Sequence, residues 1–416
     1  MRQFAGLLTA FVLLPIMIKY FPILFKRKAP LGPILFFSGL IIGTVGGIGP
    51  SAMLKAFTDI FTVFSTLQTL IVVVEIGVLG SILKQYGILQ RIVSALERLI
   101  PSKKALVMIL PGIMGLLPVP GGAFLSAPFV DSIGSDLEMS GETKSVVNLY
   151  FRHFAMFVLP YNTTILAISN MLPQVNIYTL IGLNLGFIAF LLLGAYFFYV
   201  RKAPSKKASS NGSRGAALKD VVLYLSPIYM ALVFNTAFGL QMYQALFLCI
   251  LLTFFLIGKD KSMYLKSAVR GIGVDTVLML IGVYYIQNTV KSLSFVMASV
   301  EGALTGDSVF TFMLVIPIVG LAFGLSTGVS LVPLGILLPF VAGMDLPVMT
   351  ITVYAFYVLV WSFLGYFFSP FHMCQLLTIK YMGCDTSKVY QLHLKMVPVL
   401  ACGAVALFLV YSTVFA

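Results

Sequence analysis

"FVLPYNTTILAI" (157–168) is an apolar run interrupted at its centre by Pro160, Tyr161 and Asn162. A second run, "YFFSPFHMCQLLTI" (366–379), is interrupted in the same way by Pro370, Phe371 and His372, 210 positions on. Proline removes a backbone donor and clashes with the preceding turn, so each run reads as a helix broken in its middle. The polar residues at the breaks then decide what kind of protein this is. In water such interruptions would be ordinary loops. In lipid, unpaired N–H and C=O groups survive only inside protein or beside a watery cavity.

Lipid is the medium that the rest of the chain requires. The 416 residues are 59% hydrophobic and 10% charged, and their mean hydropathy is +1.02. A water-soluble chain could not bury that much apolar surface. Runs such as "IVVVEIGVLGSI" (71–82) and "LIGLNLGFIAFLLLGAYFFYV" (180–200) approach or exceed the roughly 20 residues that cross a bilayer. The expected fold is an all-α polytopic membrane protein. The net charge of +13 is read as loop anchoring and not as nucleic-acid binding. Four cysteines, Cys249, Cys374, Cys384 and Cys402, form no C-x-x-C pair and read as reduced thiols. The N-terminal run "FAGLLTAFVLLPIMIKYF" reads as a retained first helix.

Apolar segments are expected at about 4–25, 31–48, 60–83, 105–130, 146–170, 176–200, 220–238, 240–258, 274–298, 309–341, 350–381 and 396–415. The polar linker "RKAPSKKASSNGSRGAALKD" (201–220) divides the chain almost in half. Lys and Arg set orientation. If 105–130 and 309–341 enter and leave on one side, then 26–28, the loop 84–104, the linker, 259–270 and 380–395 share one basic face. That face is cytoplasmic, and both termini lie outside. If 105–130 crossed once, the six basic residues of the linker would fall outside. The expectation is therefore two re-entrant hairpins in two inverted-topology repeats, 1–200 and 220–416, joined by a cytoplasmic linker at 201–219. Pro128-Phe129-Val130 and Pro339-Phe340-Val341 close the two hairpins, 211 positions apart. Gly77 and Gly282 fall in matching third helices.

Proline and glycine near the hairpin centres, Pro118 to Gly122 and Ser326 to Ser330, should place both tips beside both breaks, around one polar site near mid-membrane. The candidate binding residues are Pro120, Gly121 and Gly122 in the first hairpin, Ser326, Thr327 and Gly328 in the second, and Asn162, Thr163, Thr164, Ser369 and His372 at the breaks. Gln375 lies beside them. Helix N-termini attract anions, while hydroxyl and carbonyl oxygens can hold Na⁺. The possible Na⁺ ligands are Asn162, Thr163, Ser326 and Thr327. Ionisable residues inside apolar runs are candidates for charge or proton coupling: Glu75, Arg152 and His153. Arg152 reads either as an anion-attracting group or as a residue at the cytoplasmic edge. Glu75 reads either as a proton carrier or as the partner of Arg152 or Lys291. No carboxylate falls at a tip or a break, which favours an anionic solute over a cation. H-E-x-x-H does not occur, and no enzyme is expected.

"LPVPGGAFLSAPFV" (117–130) followed by "NLYFRHFAMFVLPYNTTILAI" (148–168) resembles the DUF401 family of integral membrane proteins, and the segment order resembles the wider ion transporter superfamily. That superfamily includes gluconate permeases, divalent-anion/sodium symporters, and citrate and arsenite transporters. The resemblance implies a secondary transporter in the inner membrane, working as a homodimer with an elevator-type motion. It implies a small carboxylate carried with Na⁺ or H⁺ and no other cofactor. A Na⁺/H⁺ antiporter is the alternative. The superfamily's dicarboxylate carriers place Ser-Asn-Thr at their hairpin tips. This chain has Pro118-Val119-Pro120-Gly121-Gly122 and Ser326-Thr327-Gly328 there instead.

Overall fold

The computed structural model describes residues 2–25, 30–116, 122–207, 213–257, 260–298 and 309–415. Among them there is no strand, only an isolated bridge between Ser102 and Lys207. In chain order the helices are α1 (Arg2–Phe25), α2 (Leu31–Gly46), α3 (Pro50–Thr62), α4 (Phe64–Gln85), α5 (Ile88–Leu99), α6 (Lys103–Leu116), α7 (Gly122–Asp136), α8 (Gly141–His153), α9 (Ala155–Val158), α10 (Thr163–Met171) and α11 (Ile177–Ala195). After the linker come α12 (Arg214–Ala237), α13 (Met242–Ile257), α14 (Lys261–Gly271), α15 (Val274–Lys291), α16 (Val309–Thr327), α17 (Leu331–Ala342), α18 (Val348–Phe367), α19 (Met373–Met382) and α20 (Thr386–Phe415).

Among the described residues, seven helical stretches are long and apolar enough to cross a membrane. Large side chains such as Leu193, Phe238, Phe247, Phe255 and Leu256 lie on the outside. A monomer in water does not expose apolar surface on this scale. The chain is a multi-pass membrane protein. The expected segments are present, and both expected broken helices are broken: α8–α9 from α10 at 159–162, and α18 from α19 at 368–372. The first hairpin arm pair runs further than expected, because Pro128 lies inside α7, which continues to Asp136. Three short helices, α3, α5 and α14, stand where loops were expected. α5 forms because Ile88, Leu89, Ile92, Val93, Ala95 and Leu96 share one buried stripe, while Gln90, Arg91 and Ser94 stay exposed.

α6 and α7 pack together as an antiparallel pair whose open ends meet in the ion pair Lys103–Asp136, at 2.5 Å. The linker lies at that same end. Lys104 donates to the Arg201 carbonyl, Arg98 pairs with Asp220, and Lys206 donates to Glu138. That hydrogen bond and the Lys206 charge hold the Glu138 carboxyl below its ordinary value. α16 and α17 form the second such pair, around a turn at Gly328.

Contacts between the two halves are reciprocal. α4 packs on α13 and α14, and α15 packs on α2 and α3. α7 packs on α19, and α17 packs on α10. α8 meets α20, and α18 meets α11. One relation is lopsided: α4 also rests on α10 and α15 on α17, while neither packs to a comparable degree on α7 or α19 among the described residues.

Glycine sets the closest crossings. A Cβ on Gly77 of α4 would strike the Gly271 carbonyl, and one on Gly282 of α15 would lie 2.8 Å from the Gly32 carbonyl. The first arm of each hairpin is seated on its broken helix in the same way. A Cβ on Gly115 would strike the Arg152 carbonyl, one on Gly365 would strike the Gly320 carbonyl, and one on Gly324 would come within 2.5 Å of the Tyr366 nitrogen. α18 is the most enclosed of the seven stretches, with 83% of its apolar window buried. Gly365→Val should therefore force α16 off α18 and cost on the order of 1–3 kcal/mol. It would read as a lower melting temperature in detergent, whereas Gly182→Ala, with open space around it, should leave the melt unchanged or raised.

Candidate functional site

Each break frees a carbonyl at the end of its first half-helix, and a side chain satisfies each. Asn184 of α11 donates to the Phe157 carbonyl at 3.0 Å, and His372 Nδ1 donates to the Phe367 carbonyl at 3.1 Å. Phe157 and Phe367 are 210 positions apart, the same offset as the two prolines. The residues that restart the helices also correspond. Asn162 has φ −64° and ψ 137°, and His372 has φ −64° and ψ 107°. Asn162 caps its helix through Oδ1, which accepts from the Thr164 nitrogen at 3.0 Å.

The second hairpin turn reaches both breaks. Gly328 takes a left-handed φ of +67°, and a Cβ there would lie 2.7 Å from the Phe371 carbonyl oxygen, so only glycine fits this turn. Ser369 Oγ donates to the Leu325 carbonyl at 2.6 Å and accepts from the Phe371 nitrogen at 3.1 Å. Toward the first break, Ser330 Oγ approaches Thr164 Oγ1 at 3.5 Å. Thr327 Oγ1 donates to the Phe323 carbonyl and accepts from the Val329 nitrogen, and Ser326 Oγ donates to the Phe323 carbonyl. The oxygens of Asn162 and Thr327 thus already serve the local backbone. In the first hairpin, Pro120 and Gly121 lie outside the described residues, and Gly122 begins α7.

Arg152 and His153 end α8 and are buried within the protein, not spread along a cytoplasmic edge. His153 Nδ1 donates to the Leu149 carbonyl at 2.7 Å, and Nε2 faces the Tyr366 hydroxyl at 3.3 Å. Its ring lies edge-on to His372 at 4.9 Å between centroids, and Tyr366 lies 4.2 Å from His372. Because a carbonyl can only accept, each Nδ1 carries the proton and each Nε2 carries a lone pair. His372 Nε2 is buried with no hydrogen-bond partner. Cys374 sits in the same cluster, and Arg152 and Tyr366 interact with its sulfur. Arg152 Nη1 also has no partner. The ion pairs among the described residues are Lys55–Asp59, Arg98–Asp220, Lys103–Asp136, Lys144–Asp131 and Lys206–Glu138, so no carboxylate faces Arg152.

Glu75 joins neither Arg152 nor Lys291, and its Oε2 is buried without a partner. Ser65, Gln68, Thr69 and Val72 of α4 line a cavity of about 160 Å³, together with Pro160, Ser169, Asn170, Asn235 and Gln241. Glu75 lies within 20° of Gln68 around α4, by the 100° step of a helix, and about 4.5 Å deeper than Val72. The cavity borders the first break, and the half-buried Glu75 stands beyond its lining, one turn past Val72 on α4.

The chain matches the family model described as "Protein of unknown function (DUF401)" over residues 23–412. It belongs to the DUF401 family. No curated protein matches it. In this DUF401 chain several site residues escaped the sequence reading. Asn184 was concealed in the apolar run 180–200, although an amide there needs a partner. His393 was hidden in the last helix. Its Nε2 donates to Gln375 Oε1 at 3.0 Å, and its Nδ1 accepts from the Tyr150 hydroxyl at 2.9 Å, which ties α20 to α19 and α8. Two substitutions separate architecture from function here. Tyr150→Phe leaves a buried acceptor unmet and should cost about 1–3 kcal/mol. Arg152→Met removes a buried charge without an acidic partner and should leave the thermal melt in detergent unchanged or raised.

Proposed function

We propose that this protein is a secondary transporter of a small organic anion, a carboxylate, carried with Na⁺ or H⁺. One observation carries the reading: the buried Arg152 guanidinium, with Nη1 unpartnered and no carboxylate paired with it among the described residues, at the meeting point of two broken helices. A guanidinium stays charged in any protein, and an unpaired buried charge is costly. A bound carboxylate supplies the missing counter-charge in the bidentate geometry that guanidinium prefers. Tyr366 and the N-terminus of α19 offer further donors beside it.

The transport architecture rests on the reciprocal packing of the halves and on matched breaks at one offset. These support two inverted repeats with re-entrant hairpins, as in the ion transporter superfamily. α6 and α7 have 14 and 15 residues, so they are about 21 and 22 Å long and too short for a roughly 30 Å core. The basic ends of α6, the linker and α14 would lie in the cytoplasm of a cell whose inner membrane holds the protein. The cavity near Asn235 and Gln241 would open to the outside. The hairpins and broken helices would slide as one body against α4 and α15 of a dimeric scaffold.

A second reading has its own observation. The unpartnered Glu75 suits a cation/proton antiporter, and Glu75→Gln separates the two: it should abolish pH-gradient dissipation by Na⁺ in an antiporter and leave anion binding by Arg152 intact.

The test is thermal stabilisation of the purified protein by a panel of small organic acids, with and without Na⁺. At a hundred times its dissociation constant a true ligand adds about 2.7 kcal/mol. Arg152→Gln should remove that gain. A panel without any stabilising acid, or a gain that persists in Arg152→Gln, would overturn the organic-anion reading.

A further inference from the structure

We propose that His153, His372 and Cys374 form a transition-metal site, taking a borderline divalent ion of the zinc type through two imidazoles and one thiolate. The inference shares Arg152 with the organic-anion reading, because the guanidinium interacts with the Cys374 sulfur, but its test reads metal ligation with no organic acid present. One ligand atom from each of the three residues lies within 4.8 Å of the other two. In a tetrahedral zinc site, with bonds of about 2.0–2.3 Å, neighbouring donor atoms stand about 3.5 Å apart. The three atoms therefore need to draw in by about 1 Å. The α18–α19 break at 368–372, which carries His372 at its end, allows that adjustment.

The orientation of the imidazoles is the second and independent observation. Metal-bound histidines almost always give their other ring N–H to a carbonyl or carboxylate, which fixes the tautomer and the ring plane. Here both do so before any ion is considered. His153 Nδ1 donates to Leu149 and His372 Nδ1 to Phe367. This leaves two Nε2 lone pairs inside the cluster, one of them buried and without a partner. His393 uses both of its nitrogens, whereas His372 leaves Nε2 unused, and at His153 the ion would displace the Tyr366 hydroxyl that faces Nε2 at 3.3 Å. Imidazole and thiolate together select zinc-like ions over Mg²⁺, Ca²⁺ or Na⁺, which take oxygen ligands. Three protein ligands leave one coordination position open. Binding converts the Cys374 thiol to a thiolate and releases one proton to solvent. The thiolate and the Arg152 guanidinium cancel, so the ion keeps its charge and its open position draws an anion.

The test uses Co²⁺ as a spectroscopic stand-in, added to the full-length protein in detergent after chelator treatment. We expect one equivalent to give a thiolate-to-cobalt charge-transfer band and the intense visible bands of a tetrahedral site, both erased by Zn²⁺. Cys374→Ser should lose the charge-transfer band, and His372→Gln and His153→Gln should each weaken Co²⁺ by at least about tenfold. A native protein without the band, or a band that survives in Cys374→Ser through Cys249, Cys384 or Cys402, would overturn the proposal. Should a variant misfold, X-ray absorption on the Zn²⁺-loaded native protein decides alone. One sulfur and two imidazole nitrogens support the site; any other sulfur count removes it.

Discussion

A carbonyl that leaves a helix inside a membrane has no water to turn to, and this constraint organises the centre of the molecule. Near the end of each first half-helix a phenylalanine carbonyl is taken up by a side chain, Asn184 for Phe157 and His372 for Phe367. The two solutions differ. The first partner comes from a neighbouring helix, α11, and the second from the restart of the same broken helix. With those groups satisfied, unwound backbone can persist at depth. The second hairpin turn, with its left-handed Gly328, can then press directly against Phe371.

The pairing of architecture with chemistry is unequal between the halves. Backbone conformation repeats closely at Asn162 and His372, yet the side chains differ. The first break carries an amide and hydroxyls that mostly serve the backbone. Charge and imidazole gather near the second break, because α8 brings Arg152 and His153 from the first half to meet His372 and Cys374 from the second. Neither half alone contains the cluster, and it forms only when both fold together.

Much of the fold was legible in the sequence because apolar length and proline position are local signals. The breaks at Pro160 and Pro370 could be read to within a few residues. The amphipathic helices α3, α5 and α14 could not, since their buried stripes are short and lie in charged stretches. Pro128 was taken as the end of a hairpin arm although it sits inside α7, where packing on α8 and α19 holds the helix through it. Candidate site residues could be named from the sequence, but not their geometry. Arg152 was read as a residue at the cytoplasmic edge or an anion ligand, and only the folded chain places it away from every described acid. The partnership of His153 with His372 spans 219 positions and left no trace in spacing.

The lopsided packing of α4 and α15, each within its own half, has a consequence for motion. A molecule whose elements pair reciprocally should present α7 and α19 to α4 and α15 as fully as it presents α10 and α17, yet it does not. On the transport reading this packing is one extreme of a stroke. The opposite extreme would exchange the roles of the two halves, and α4 and α15 would each offer two alternative berths. Mutations on those two helices would then bias the resting population without touching the solute at all.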